Sequence, residues 1–267
     1  MKRLVSILLP IALLISLTSC AANPSEAETP PVSSPSEPAP SATPSPSLTP
    51  EEPADPSEPP NEIPSPGGSQ ETTLLYQGHA SLRLTSQNGL VLYIDPAEGE
   101  GYDKPADFIL VTHEHNDHNK VSKVTQKDDC VIIRAVDILA AEDQKMQLNE
   151  SIAIEGVQAY NPNHKVTECV GFIITIDDLT MYVAGDTSKT EQMDTFSERN
   201  LDYAFFPTDG VYNMSAEAAA ECAEIVGAKH NIPYHTKVGS LFDLEIAESF
   251  NVTNRLIIQA GEEIGLE

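Results

Sequence analysis

From Thr73 onward the chain alternates short apolar runs with clusters of Gly, Pro, Asn and Asp. Apolar or alternating runs of this kind, bounded by turn formers, are the pattern of strands. Strands are predicted on that basis at Thr73–Tyr76, Ala80–Leu84, Leu90–Ile94, Phe108–Val111, Val131–Arg134 and Ser151–Tyr160. Val170–Ile176 and Met181–Ala184, separated by Asp177 and Asp178, read as a hairpin; Asp202–Phe206, Asn231–Ile232 and Arg255–Gln259 complete the set. Helices are predicted at Asp137–Gln147, after Ser215 as N-cap, and at Asp243–Phe250. In the second of these Ala219, Cys222, Ala223 and Val226 form an apolar stripe, and Gly227 lies near its end. Strands dominate and helices intervene, which predicts a layered fold of the α/β (α+β) class. Residues 73–267 are enough for one domain with its own core.

The residues before Thr73 follow other rules. Lys2 and Arg3 precede an apolar run that ends at Leu17, short of the roughly 20 residues a spanning helix needs. Residues 1–19 therefore read as a secretory signal. The run Leu17-Thr18-Ser19-Cys20 resembles the bacterial lipobox, which implies cleavage before Cys20 and a lipid on its sulfur. The protein would then be held at the outer face of the cytoplasmic membrane by two or three acyl chains, enough for stable anchoring. An ordinary secreted protein with an incidental cysteine is the alternative. Residues 20–72 carry fifteen of the 21 prolines and nine acidic residues, with no Lys or Arg. Such a segment cannot bury enough apolar surface to offset chain entropy, and it reads as an extended linker spanning up to ~150 Å.

Charge narrows the partners. The formal charge is −26, and without the signal and linker about −19 remains on the domain. A surface so negative repels polyanions, which argues against nucleic acid and for a small-molecule substrate. Cys130, Cys169 and Cys222 remain beside the Cys20 expected to carry lipid, an odd number that on an exported protein argues against a complete disulfide framework, and their apolar surroundings predict buried thiols.

The chemistry concentrates in Thr112-His113-Glu114-His115-Asn116-Asp117-His118, directly after the apolar run Phe108–Val111. Three of only seven histidines fall there, with an aspartate between them. A buried strand that ends in His-x-His-x-Asp-His delivers imidazoles and a carboxylate to one point on a sheet rim. Those are ligands that zinc and related first-row ions accept.

That motif resembles the signature of the metallo-β-lactamase superfamily. The resemblance implies an αββα sandwich with two divalent ions at one edge, most simply zinc, with manganese or iron as competitors. Carried over by position, it implies His113, His115 and His164 on one ion, Asp117, His118 and His235 on the other, and Asp186 bridging both. The two ions, some 3.5–4 Å apart, share a water and lower its pKa towards about 7. Asp117 and Asp186 offset part of the charge and orient that nucleophile. Asp95 either holds the ligand loop from behind or simply ends a strand with Pro96. Gly78-His79, Asp95-Pro96, Gly185-Asp186-Thr187 and Pro207-Thr-Asp-Gly210 before Met214 are similar to the branch that contains L-ascorbate-6-phosphate lactonase. There His79 contacts substrate or a metal-bound water; the alternative is an exposed turn histidine. His230 is expected at a helix C-terminus, where its partial charge suits the dipole. Tyr212 and Tyr234 are candidates for either the pocket or packing.

The resemblance implies a hydrolase of a small ester, lactone, amide or phosphodiester; a metal-binding lipoprotein without turnover is the alternative. His115 is not replaced by Glu, which disfavours the di-iron, oxygen-reducing branch. A phosphorylated substrate is also disfavoured, because Lys165, Lys189 and Lys237 are isolated rather than clustered.

Overall fold

The computed structural model describes residues 71–267. The predicted signal, Cys20 and the linker up to Gln70 lie outside the described residues.

Two six-stranded sheets face each other. The first runs in the order β12 (Glu262–Gly265), β1 (Thr73–Gly78), β2 (Ser81–Thr85), β3 (Val91–Ile94), β4 (Ala106–Val111) and β5 (Gln126–Arg134). The second runs β11 (His230–Tyr234), β10 (Tyr203–Pro207), β9 (Leu179–Val183), β8 (Val170–Ile176), β7 (Ile152–Gln158) and β6 (Lys145–Gln147). Both sheets are mixed, with parallel pairs β3–β4–β5 and β9–β10–β11. Side chains alternate between faces along a strand. Leu82, Leu84, Leu92, Ile94 and Leu110 from the first sheet therefore meet Phe172, Ile174, Met181 and Val183 from the second in one core.

Outward-facing residues on the second sheet are apolar too, and helices cover them. Ile173, Tyr182, Ala204 and Phe206 pack under Ala219 and Ala223 of α2 (Ala216–Val226), Phe196 of a 3-10 segment (Glu191–Arg199), and Phe250 after α3 (Leu244–Ser249). Ser215 caps α2 by accepting from the Ala218 amide, and Gly227 closes it at φ 69°, a left-handed turn that glycine enters without a Cβ penalty. On the first sheet Val91, Tyr93, Ile109 and Val111 face outward against Tyr102, Val121 and Val124, so that side is closed mainly by loop and one 3-10 turn. The arrangement is an αββα sandwich with its helical weight on the second sheet.

Several predicted elements are corrected. The helix expected over Asp137–Gln147 is only α1 (Ala135–Ala140); Asp143 and Gln144 then adopt left-handed backbone and Lys145–Gln147 becomes β6. Pairing with β7 along Lys145–Glu155 outweighs the helix propensity of the Leu, Ala, Gln, Lys and Met residues in this stretch. Arg255–Gln259 is not a strand; its backbone pairs with the sheet at one bridge, Asn231 to Arg255, while Ile258 and Leu256 pack against the core. The last strand is β12, a polar edge strand on β1 without the alternation that marks a buried one. His230 opens β11 beyond the end of α2 and stacks on Tyr203 at 5.0 Å, so no helix dipole holds it. Cys130 is half-buried on β5, whereas Cys169 and Cys222 are buried and all three are free.

Candidate metal centre

The loops that follow β1, β3, β4, β7, β9, β10 and β11 meet at one rim of the sandwich. The β1–β2 turn brings His79, the end of β3 brings Asp95, and the end of β4 brings Thr112 and the histidine loop. Asp186 follows β9 after Gly185, whose φ of 66° and closeness to the Val170 carbonyl leave no room for a Cβ. His164 comes from the loop after β7 and His235 directly follows β11. His79, Asp95 and His235 are themselves left-handed, at φ 54°, 47° and 45°. Such backbone is costly for a residue with a Cβ and gathers where function demands it.

The seven predicted ligands converge. His113 Nε2 and His164 Nε2 each lie 3.1 Å from His115 Nδ1, a three-imidazole group with ligand atoms mutually within 4.8 Å. Asp117, His118 and His235, joined by His79, form a second group within the same span. Between them Asp186 Oδ1 is 3.4 Å from His118 Nε2 and 3.6 Å from His235 Nε2, while its Oδ2 is 3.5 Å from His164 Nε2.

The residues fit a cation. His118 Nε2, His235 Nε2 and Asp186 Oδ1 are buried, face one another and have no hydrogen-bond partner. An unpaired buried polar atom costs about 1–3 kcal/mol, so three at one point mark a place built for something that binds lone pairs. Charge agrees. Burial, then the neighbouring His118 ring, push His113 down to about 2, so it stays neutral as a ligand must. Burial also lowers His164. Burial opposes charge on His118, but the Asp186 and Asp95 carboxylates outweigh it and hold the ring up to about 9. Burial would raise the Asp186 carboxyl; His118, His235 and His113 hold it well below the usual range.

Each ring is fixed from behind. His118 Nδ1 donates to Asp95 Oδ2 at 2.9 Å. The same carboxylate accepts from the Thr112 amide and hydroxyl, both at 2.7 Å, and the hydroxyl oxygen lies 3.0 Å from His113 Nδ1. Asp95 thus does more than end a strand. His164 Nδ1 donates to Asn161 Oδ1 at 2.8 Å. His235 Nδ1 lies 3.1 Å from Asp209 Oδ2, within ion-pair range though not aligned as a hydrogen bond. The roles of Asn161, Asp209 and Asn213 are hidden at the level of sequence because Asn, Asp and Gly are equally the residues of turns, and Thr112 is hidden because nothing in its neighbourhood marks its hydroxyl as a partner of His113.

His79 is buried rather than an exposed turn residue. Its Nε2 is 3.2 Å from Asp117 Oδ2 and its Nδ1 is 3.3 Å from the Ser240 carbonyl. Tyr234 is buried, whereas Tyr212 is exposed beside the rim.

Two clefts open on the cluster. One of about 380 Å³ lies by His115 and His164 and is walled by Ala135, Val136 and Cys169. The other, about 340 Å³, lies by His79 and Asp117 and is closed by Gly239 and Ser240. Nearby cations are paired: Arg134 with Glu114 at 2.7 Å, Lys165 with Glu168 at 2.8 Å, Lys120 with Glu98 at 2.8 Å, and Lys237 with Asp243 at 2.7 Å. Burial, then Asp186, push the Cys169 thiol up to about 12, which keeps it protonated.

A family model described as the beta-lactamase superfamily domain matches residues 73–235. A UPF0173 metal-dependent hydrolase of Geobacillus thermodenitrificans is 28% identical over 189 residues, covering 60% of this chain and 83% of the relative. A UPF0173 metal-dependent hydrolase of Bacillus thuringiensis is 24% identical over 224 residues, covering 72% and 98%. Among solved structures, one described as a metal-dependent hydrolase from Parabacteroides distasonis superposes with a TM-score of 0.59 at 27% identity, over 72% of this chain and 94% of that one. A metallo hydrolase from Ignicoccus hospitalis shares the fold with a TM-score of 0.58 at 19% identity, over 74% and 99%.

Proposed function

The chain belongs to the metallo-β-lactamase superfamily as a metal-dependent hydrolase, and from that premise we propose that it works with two divalent ions on a small uncharged ester, lactone or amide outside the cytoplasm. The observation that carries the reading is the convergence of His113, His115, His164, Asp117, His118, His235 and Asp186 at one rim of the sandwich, around buried acceptors with no partner among the described residues. Zinc is the simplest occupant for this nitrogen-rich set; manganese and iron are competitors. When bound, the ions supply Lewis acidity and lower the pKa of water towards about 7.

The chain's own residues divide the remaining work. Asp186 stands between the two groups of rings and offsets the charge of both. Asp117 is half-exposed at the mouth of the second cleft, where the His79 ring holds its carboxyl well below the usual carboxylate range, so it stays ionised and its Oδ2 can orient water. Ser240 O and Asp117 Oδ2 are both acceptors on His79, and a singly protonated ring serves only one of them. The other nitrogen is left for a proton in transit, which suits His79 to take the proton of the water that Asp117 orients and pass it to the leaving group. The first cleft takes the acyl side against Ala135 and Val136. Because the cations at its rim are neutralised, it offers a phosphate no free partner, and phosphodiesters rank below carboxylic esters. Support for location is the basic, apolar and lipobox pattern up to Cys20, which would anchor the domain to the outer face of the membrane on an extended tether.

Metal content measured together with turnover of an ester, lactone, amide and phosphodiester panel tests the reading. His113→Ala and Asp186→Ala should abolish both bound metal and turnover. Full turnover in both variants overturns it, and two bound metals without any hydrolysis would make the protein a metal-binding lipoprotein instead.

A further inference from the structure

A connected path of side chains joins the two groups of ligands behind the cluster. The Asp209 side chain is fully buried. Its Oδ1 accepts from the amides of Val211 and Tyr212, both at 2.7 Å, which locks the carboxylate in the loop after β10. Its Oδ2 faces His235 Nδ1 at 3.1 Å and accepts from Asn213 Nδ2 at 2.7 Å. Asn213 Oδ1 accepts from Asn161 Nδ2 at 3.0 Å, and Asn161 Oδ1 accepts from His164 Nδ1 at 2.8 Å.

Only one direction of hydrogen bonding satisfies this path. An ionised carboxylate can only accept, so Asn213 must turn its amino group to Asp209 and its carbonyl to Asn161. Asn161 must then offer its amino group to Asn213, which leaves its carbonyl for His164 and for the Asn163 amide at 2.8 Å. His164 in turn must carry its proton on Nδ1, so Nε2 keeps its lone pair for the cluster. At the other end the Asp209 carboxylate, 3.1 Å from His235 Nδ1, favours a proton on that nitrogen by charge and leaves Nε2 with its lone pair.

We propose that Asp209 is a positioning residue for both ion positions, fixing the ring orientation and tautomer of His235 directly and of His164 through Asn213 and Asn161. The proposal rests on the two-ion reading above, but the path is a property of the protein groups themselves. It gives the segment Asp209–Asn213 a duty that its turn-like sequence does not announce.

The test uses the full chain. Histidine nitrogen NMR on protein stripped with chelator reads the His164 tautomer, and titration with Zn²⁺ or Co²⁺ reads each position. Asn213→Ala should turn His164 from one tautomer to a mixture and weaken the His113/His115/His164 position roughly 10–100-fold, although residue 213 hydrogen-bonds to none of those three rings and meets the cluster itself at Asp186, so the tautomer is the deciding readout. Asn161→Ala should do the same at His164 while leaving His235 as it was. Asp209→Asn should disturb both rings. A single unchanged His164 tautomer with ion affinities within about twofold of wild type in Asn213→Ala overturns the proposal on the scale expected for such partners. So does equal damage at both rings in Asn161→Ala, which would mean loop collapse. If Asn213→Ala does not fold, Asn213→Ser takes its place with the same outcomes. Lack of Zn²⁺ binding by the wild-type protein would sink the two-ion reading, while the tautomer would still report on the path.

Discussion

The two sheets hold their candidate metal ligands by the same logic and with different hardware. On the first sheet Asp95 reaches His118 directly and His113 through the Thr112 hydroxyl, all on strand ends that pair as neighbours. On the second, Asp209 reaches His235 directly and His164 through two amide side chains carried on separate loops. In each half one carboxylate serves one ring from each of the two groups of side chains. The first arrangement is short, fully buried and welded to the core; the second is longer and depends on loops keeping register. Damage to the first should therefore appear as lost folding, and damage to the second as lost affinity.

The sharpest way to break that contrast is to remove what both halves share. Asp186→Ala should lower kcat/KM by at least about 10³-fold, roughly 4 kcal/mol of transition-state stabilisation, as read in steady-state kinetics. Next comes Asp95→Ala, which leaves Thr112 and His118 without their buried partner. Breaking a buried pair costs about 3–5 kcal/mol, so urea unfolding should show a fall of that order, whereas Asp209→Ala should fall by less than half as much. Equal losses would erase the distinction between welded and loop-borne ligands.

The pH dependence of loading follows from His118. Its ring, held up to about 9 by Asp186 and Asp95 against burial, carries a proton at neutral pH in chelator-stripped protein. A cation must displace that proton, so affinity should rise with pH through the neutral range and flatten once pH passes the folded value. Calorimetry of Zn²⁺ binding in buffers of different ionisation enthalpy should show net proton release at pH 7, and none would contradict the assignment. The smallest effect is expected outside both halves. Lys165→Ala removes one member of an exposed pair at the cleft mouth and should change turnover of a neutral ester by less than about twofold, as surface pairs contribute little. A large loss would mean that Lys165 binds an anionic substrate.

The sequence announces the first half better than the second, for a physical reason. Its ligands crowd into six positions behind a plainly apolar strand, and Asp95 ends the neighbouring strand. His164, Asp186 and His235 are recognisable through their strand-end positions once the resemblance is known. Asp209 and Asn213 are not, because Asp, Asn and Gly are the residues of any tight turn and only the tertiary path gives them meaning. The misread elements share a cause as well. β6 and β12 are polar edge strands, stabilised by a neighbour rather than by their own pattern, and the Asp137–Gln147 stretch carries helix formers that tertiary pairing overrides.

One consequence of the left-handed corners at His79, Asp95 and His235 concerns evolution of the scaffold under laboratory selection. Glycine or asparagine would sit there more comfortably, so a screen for thermal tolerance alone should drift towards them at exactly the rim where reactivity lives. Hardier descendants would then be quieter ones, and the bends would be the first record of that exchange.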